Sequence, residues 1–247
     1  MKKRFDKTYK IISNKEICAG YFELKVKSGN ETAQACSPGK FFMIGVPDVF
    51  LRRPLSIHDT KSGVISFLYK TAGKGTEILS KMKTGEISML GPLGNGYPLE
   101  SSNPVIVAGG TGIASVHYLA VSLKKKGTLY YGARSKKDLL CLDKFKKAGW
   151  KIIVSTEDGS KGYKGFITGI LEKKLNSDDF IYVCGPSPMI KAVIKIAKEK
   201  NTGGCVSLEE KMACGVGNCQ GCAVKIKGQN KMTCKDGPVF NIEDVEI

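Results

Sequence analysis

Arginine is scarce in this chain: of its 39 basic residues only four, Arg4, Arg52, Arg53 and Arg134, carry a guanidinium. That planar group is the one suited to bidentate contacts with phosphate and guanine. Its rarity argues against nucleic-acid recognition, even though 39 basic against 23 acidic residues give a formal charge of +16. The lysines, single or in short groups such as Lys124-Lys125-Lys126, read as solvated helix faces. Long apolar runs are also missing. The most apolar stretch, Val105 to Leu123, is broken by Gly109, Gly110, Gly112 and His117 and has a strand-turn-helix rhythm unlike a membrane span. The basic start, Met1 to Arg4, leads into Asp6, Lys7, Lys10 and Asn14 and not into an apolar signal core, so the protein reads as cytoplasmic. With only 9 prolines, no repeat, no low-complexity tract and 42% hydrophobic residues, disorder and collagen-like structure are excluded. A length of 247 residues is enough for about two compact units with a real core.

The pattern predicts a multidomain β plus α/β protein. Residues 1–101 hold short strand candidates at Tyr21 to Lys27, Phe41 to Val46, Val64 to Tyr69 and Glu86 to Leu90, with turns at Ser28-Gly29-Asn30 and Ser62-Gly63 and one helix at Thr76 to Met82. This predicts a small antiparallel β-barrel, closed by the loop Gly91 to Pro98. Over residues 102–202 strands at Val105 to Ala108, Thr128 to Gly132, Lys151 to Ser155 and Phe180 to Cys184 alternate with helices, which predicts a doubly wound, mostly parallel sheet. Residues 203–247 are rich in glycine and cysteine, offer only short strands at Cys205 to Leu208 and Ala223 to Lys227, and are too few to hold a core without a metal or similar staple.

Nine cysteines without a secretory signal point to metal or redox chemistry. Cys214, Cys219 and Cys222 form C-x4-C-x2-C, and Cys234 follows. That is the plant-type [2Fe-2S] spacing, with four thiolates for two irons. Gly215, Gly217 and Gly221 let such a loop wrap closely and turn its N–H groups towards the sulfides. Four cysteines also satisfy zinc, but zinc motifs usually pair two short C-x2-C units, whereas here three ligands share one loop. Cys18, Cys36, Cys141 and Cys205 have no such company and read as small buried hydrophobes.

Three further segments suit a nucleotide. Arg53-Pro54-Leu55-Ser56 supplies a guanidinium, and Gly73-Lys74-Gly75-Thr76 opens the helix candidate, so the two together suit a diphosphate. Gly109-Gly110-Thr111-Gly112 stands between a strand and a helix, where glycines let backbone and helix dipole approach a pyrophosphate. The plain alternative for each is an ordinary tight turn. No acidic residue ends the next strand, which reads Gly132-Ala133-Arg134, so NAD and NADP both stay open. Cys184-Gly185-Pro186 ends the last sheet strand, at the edge where open α/β sheets bind ligands.

In this order, these motifs resemble those of the ferredoxin-NADP reductase superfamily along the whole chain. Arg53-Pro54-Leu55-Ser56 is similar to its flavin motif, Gly91-Pro92-Leu93-Gly94 to its barrel-end loop, and Gly109 to Ala114 and Cys184 to Pro186 to its nicotinamide motifs. Within it, Arg52 to Ile57, Gly73 to Thr76 and Glu209 to Cys222 resemble the family of electron transfer subunits of dihydroorotate dehydrogenase B. The resemblance implies FAD held by Arg53, Pro54, Leu55, Ser56, Leu68, Tyr69, Lys70, Gly75 and Thr76, NAD held by Gly109, Gly110, Thr111, Gly112, Cys184, Gly185 and Pro186, and a [2Fe-2S] cluster on Cys214, Cys219, Cys222 and Cys234. It also implies an FMN-containing catalytic partner subunit, in a heterotetramer of two of each, that oxidises dihydroorotate in pyrimidine biosynthesis. No residues read as a dihydroorotate pocket with its own general base. Hydride transfer moves two electrons and a [2Fe-2S] centre one, so a flavin has to stand between them. The rival readings are the small subunit of an NADH-dependent ferredoxin:NADP oxidoreductase or sulfide dehydrogenase, where an aspartate often replaces one cluster cysteine, and a passive electron carrier or redox sensor.

Overall fold

The computed structural model describes residues 4–246. Strands β1 (Phe5–Cys18), β2 (Tyr21–Lys27), β3 (Phe41–Ile44), β4 (Arg53–Lys61), β5 (Val64–Lys70) and β6 (Glu86–Leu93) close into a barrel in the order β1-β2-β5-β4-β3-β6. Closure leaves no free sheet edge. The longest strand, β1, was not legible, because lysines and other polar residues fill its outer face while Phe5, Tyr9 and Ile11 turn inward. Helix α1 (Gly29–Gln34) occupies the region predicted as a turn, and α2 (Lys74–Lys81) begins two residues before its predicted start. Phe42, Leu24, Ile57 and Phe67 fill the barrel core.

Beyond the barrel, β7 (Pro104–Gly109), α3 (Ile113–Ser122), β8 (Thr128–Ala133), α4 (Leu142–Lys147), β9 (Lys151–Thr156), β10 (Tyr163–Lys164), α5 (Ile167–Lys174), β11 (Phe180–Cys184), α6 (Ser187–Lys200) and β12 (Gly203–Ser207) follow in turn. The six strands lie parallel in the order β10-β9-β8-β7-β11-β12. Helices cover both faces, α3 and α4 on one and α5 and α6 on the other, so strands such as Val105 to Ala108 are apolar throughout. The C-terminal segment forms a hairpin, β13 (Ala223–Ile226) and β14 (Gln229–Met232), and then β15 (Val239–Asn241), which joins the sheet antiparallel to β12. The segment from residue 203 thus frames its cysteine loop with two strands of the central sheet, which supplies the core that the loop lacks.

The barrel meets the sheet domain along a polar seam built from the only two histidines. The His58 ring on β4 stacks on His117 of α3, with centroids 4.5 Å apart. His58 Nδ1–H donates to Ala114 O at 3.0 Å, Lys144 Nζ donates to His58 Nε2 at 3.2 Å and to Glu23 at 2.7 Å, and His117 Nδ1–H donates to His58 O at 3.2 Å. Burial, helped by the facing His117 and Lys144, lowers the His58 pKa to about 3, and burial also lowers that of His117. Glu23, within reach of both rings, and Asp59, beside His117, oppose this. Because an unfolded histidine takes a proton near pH 6.5 and the folded one resists it, the unfolded state binds more protons between about pH 6.5 and 3, and stability falls as pH falls through that window. At pH 5 the loss from His58 is about 2 kcal/mol. Thermal melts from pH 7 to 5 are expected to show a shallower acid loss for His58→Asn, which keeps a side-chain N–H for Ala114 and does not titrate; equal slopes would remove His58 as the cause.

Candidate functional site

Two glycine loops and one cysteine loop converge on the barrel. The first lies at the start of α2. Arg53 leads into β4, and its guanidinium crosses the first turn of α2 so closely that a Cβ on Gly75 would sit 2.3 Å from Arg53 Nε. The Arg53 guanidinium also donates to Leu51 O, and a cationic fork beside the N–H groups of a helix start is the donor set that a diphosphate requires. Thr76 Oγ1 accepts from Ala72 N at 2.8 Å and donates to Gly73 O at 3.0 Å, so its hydroxyl shapes the loop that opens this cradle. The neighbouring Arg52 is structural: it pairs with Asp6 at 2.9 Å and donates to Ser88. Strand alternation sorts the remaining flavin candidates. Pro54 and Ser56 are half-buried, whereas the Leu55 side chain lies in the barrel core. On β5, Tyr69 also points into the barrel, where its hydroxyl donates to Asn14 at 3.0 Å, while Leu68 faces the sheet domain and Lys70 stays exposed. Leu55 and Tyr69 therefore offer a flavin their backbone only.

The second loop opens a cleft of about 630 Å³ at the carboxyl ends of β7, β8, β9 and β11. Gly109, Gly110, Thr111 and Pro186 line it, and so does Lys70 from the barrel, so the predicted nicotinamide loop and the predicted flavin strand share one cleft. The glycines have different tasks. A Cβ on Gly112 would lie 2.3 Å from Cys184 O, and one on Gly109 would lie 2.6 Å from Met189 Sδ, so both permit close packing at the ends of β7 and β11. Gly110, at φ +51° with open space before it, presents its backbone to the cleft. Cys184 is fully buried, and burial first, with Glu209 beside it, pushes its thiol up to about 12. Glu209 Oε1 is 4.0 Å from Cys184 Sγ, and the surrounding chain raises its carboxyl pKa as well. Sequence reasoning placed Glu209 in the cysteine-loop motif without a role and missed Tyr21, Asp138, Glu157 and the exposed Phe166, which reach the sites from separate elements.

The cysteine loop packs on the barrel wall. Cys222 and Cys234 bury against Phe41, Met43 and Leu93, and Gly215 passes so close to Met43 that a Cβ would meet its Cγ at 2.6 Å. Asn95 fastens the other end: its side-chain amide donates to Asp236 O at 2.6 Å and its N–H to Gly237 O. Backbone bonds tie the cysteines in two pairs, Cys219 N–H to Cys214 Sγ and Cys234 N–H to Cys222 Sγ. Among the described residues no three metal-ligating side chains converge on one ion position. Four thiols in two pairs fit a two-iron cluster, one iron to a pair. N–H groups already point at them: Val216 and Cys219 donate to Cys214 Sγ at 3.4 and 3.5 Å, and Cys234 to Cys222 Sγ at 3.5 Å. Burial raises the Cys214 pKa, but these donors outweigh it and bring the thiol down to about 6.

A flavin-type barrel, a dinucleotide sheet and a four-thiol loop on one chain define an iron-sulfur flavin reductase. The sequence profile of the iron-sulfur cluster binding domain of dihydroorotate dehydrogenase B matches residues 209–246, and that of the oxidoreductase NAD-binding domain matches residues 106–195. The chain is 41% identical over 236 residues to the dihydroorotate dehydrogenase B (NAD(+)) electron transfer subunit of Clostridium acetobutylicum, covering 94% of this chain and 93% of the relative. It is 39% identical over 243 residues to that of Caldanaerobacter subterraneus subsp. tengcongensis, covering 96% of each. Among solved structures, an NADH-dependent reduced ferredoxin-NADP oxidoreductase superposes with a TM-score of 0.87 at 32% identity, over 96% of this chain and 89% of that one. A Neisseria gonorrhoeae ferredoxin NADP+ reductase with bound FAD and NADP shares the fold, with a TM-score of 0.68 at 15% identity over 79% of this chain and 91% of that one. The chain belongs to the family of electron transfer subunits of dihydroorotate dehydrogenase B.

Cys219→Ser is expected to abolish the visible charge-transfer bands and remove iron, while Cys205→Ser, away from the loop, keeps both. Arg53→Ala is expected to lower FAD retention through gel filtration with little effect on iron. Gly112→Ala, which forces a Cβ against the Cys184 carbonyl, should cost about 1–3 kcal/mol of stability in denaturant melts.

Proposed function

We propose that this chain is the electron transfer subunit that carries electrons from the FMN of a dihydroorotate-oxidising partner, through its [2Fe-2S] cluster and FAD, to NAD+. The observation that carries this reading is the continuity of the three sites. Phe41 of β3 pairs with Ser56 of β4 and packs against Cys222 and Cys234, and Lys70 of β5 lines the cleft of Gly109 and Gly110. The flavin supplies the exchange between two-electron and one-electron chemistry.

The chain's own residues hold and orient. Arg53 and the first turn of α2 neutralise a diphosphate, Ser56 presents a hydroxyl from the β4 face next to the cluster wall, and Gly110 and Thr111 receive a pyrophosphate at the end of β7. Leu68, buried between barrel and sheet, keeps water out from behind the flavin position. Met43, Phe41 and Leu93 do the same on the barrel side of the cluster. The N–H groups of Val216, Cys219 and Cys234 stabilise thiolate charge. Nothing in the set acts as a general base towards a dihydropyrimidine, and substrate oxidation falls to the partner subunit. With the bound FAD and oxidised cluster each adding about two negative charges, the formal +16 drops to about +12, so the holoprotein stays basic. We further propose a cytoplasmic heterotetramer of two subunits of each kind; among the described residues no helix is long and apolar enough to cross a membrane.

A second reading rests on the likeness to the NADH-dependent reduced ferredoxin-NADP oxidoreductase. The two differ in the electron donor. Co-expression with the FMN subunit is expected to give a complex that reduces NAD+ with dihydroorotate; a complex replete in flavin and iron that ignores dihydroorotate would sink the first reading. For the purified chain, anaerobic NADH is expected to bleach the flavin and produce the low-temperature EPR signal of a reduced [2Fe-2S] centre, whereas a passive carrier would show a cluster and no response.

A further inference from the structure

The end of β8 carries Ala133 and Arg134, with no acid, yet the fold places one beside it. The chain leaving β9 runs along the end of β8: Glu157 N–H donates to Ala133 O at 3.1 Å and Asp158 N–H to Arg134 O at 3.2 Å. Glu157 and Arg134 both line the cleft that holds Gly109, Gly110 and Thr111. The other acids nearby are engaged. Asp138 accepts from the Tyr21 hydroxyl and from Ser135, both at 3.0 Å, and Asp158 accepts from Ser160 N–H at 2.9 Å and Ser160 Oγ at 2.6 Å. Among the described residues, neither the Glu157 carboxylate nor the Arg134 guanidinium makes a hydrogen bond or ion pair, and both side chains are exposed to the cleft.

We propose that Glu157, at the same cleft edge as Arg134, selects NAD(H) over NADP(H) by reading the 2′-position of the adenosine ribose. Strand ends beside a pyrophosphate loop are where a dinucleotide's ribose lies, and an acid there accepts the ribose 2′-hydroxyl. A hydroxyl both donates and accepts, so it satisfies the carboxylate and the guanidinium together. A 2′-phosphate, with between one and a half and two negative charges, gains the guanidinium but meets the carboxylate as a like charge. Arginine alone at this edge would favour the phosphate; the Glu157 backbone tie to Ala133 brings the opposing charge to the same edge of the cleft.

This inference rests on the cleft being the coenzyme site, and the test separates the two. Calorimetric titration of the holoprotein with ADP-ribose and with 2′-phospho-ADP-ribose reads ribose recognition without electron transfer, since neither ligand has a redox-active ring. Wild type is expected to favour ADP-ribose by about tenfold or more, the scale of one charge-assisted hydrogen bond. Glu157→Gln, which removes only the charge, should narrow that preference, and Glu157→Arg should reverse it, with the NADH to NADPH ratio in dye reduction moving the same way. Arg134→Ala should weaken the 2′-phospho ligand in the Glu157→Gln background. An unchanged preference in Glu157→Gln with wild-type flavin absorbance, or a wild-type preference for the 2′-phospho ligand, would overturn the assignment of Glu157 while leaving the cleft as the coenzyme site. If neither ligand binds, the coenzyme reading of the cleft falls and takes this one with it.

Discussion

The contact on which the rest depends is the one between the cysteine loop and the barrel wall. A loop that must carry two irons has no core of its own, and its position is meaningful only if something rigid fixes it. The barrel supplies Phe41, Met43 and Leu93, and Gly215 has no side chain because Met43 occupies that space. Asn95 bonds to Asp236 and Gly237, and Pro238 closes over Gly94, so the barrel-end loop clasps the far side of the same segment. Strands β12 and β15 then tie both ends into the central sheet. A segment that would be marginal alone becomes part of two larger cores.

The second seam is made differently. Between barrel and sheet domain the contact is carried by His58, His117, Lys144 and Glu23, with apolar packing from Leu68 and Tyr21 beside it. Apolar surfaces slide with little loss, whereas a directional chain of hydrogen bonds fixes one orientation. That property suits a protein in which a barrel strand and a sheet loop face each other across one cleft. Both histidines stay neutral in the fold, since a charge there would be unsolvated and would face Lys144.

The chemistry is divided accordingly. In the proposed electron-transfer role the named residues bind, orient or exclude water, and none needs to move a proton from an organic substrate. Cys184 shows the point: at the sheet edge a thiol suggests a nucleophile, but burial holds it protonated, and its backbone carbonyl serves instead as the surface against which Gly112 packs. In the cysteine loop, N–H donors point at Cys214 Sγ and Cys222 Sγ; at Cys214 they outweigh burial and bring the thiol down to about 6, whereas burial pushes Cys234 up to about 12.

What the sequence determined by itself was whatever is encoded locally. The cysteine spacing, the glycine loop between β7 and α3 and the alternation of strands and helices are short-range patterns, and they specified the parallel sheet, the barrel class and the resemblance to this family. Strand β1 was hidden because its outer face is lysine-rich, and only pairing with β2 and β6 makes it a strand. Tertiary structure alone decided which side of a strand each candidate occupies, turning Leu55 and Tyr69 into the barrel while leaving Ser56 and Lys70 outside it. It also brought Glu157 to Arg134 and Cys222 to Phe41, across gaps in sequence that no local pattern spans. Propensity and spacing act over a few residues; sheet order and packing choose the long-range neighbours, and in this protein those neighbours make the sites.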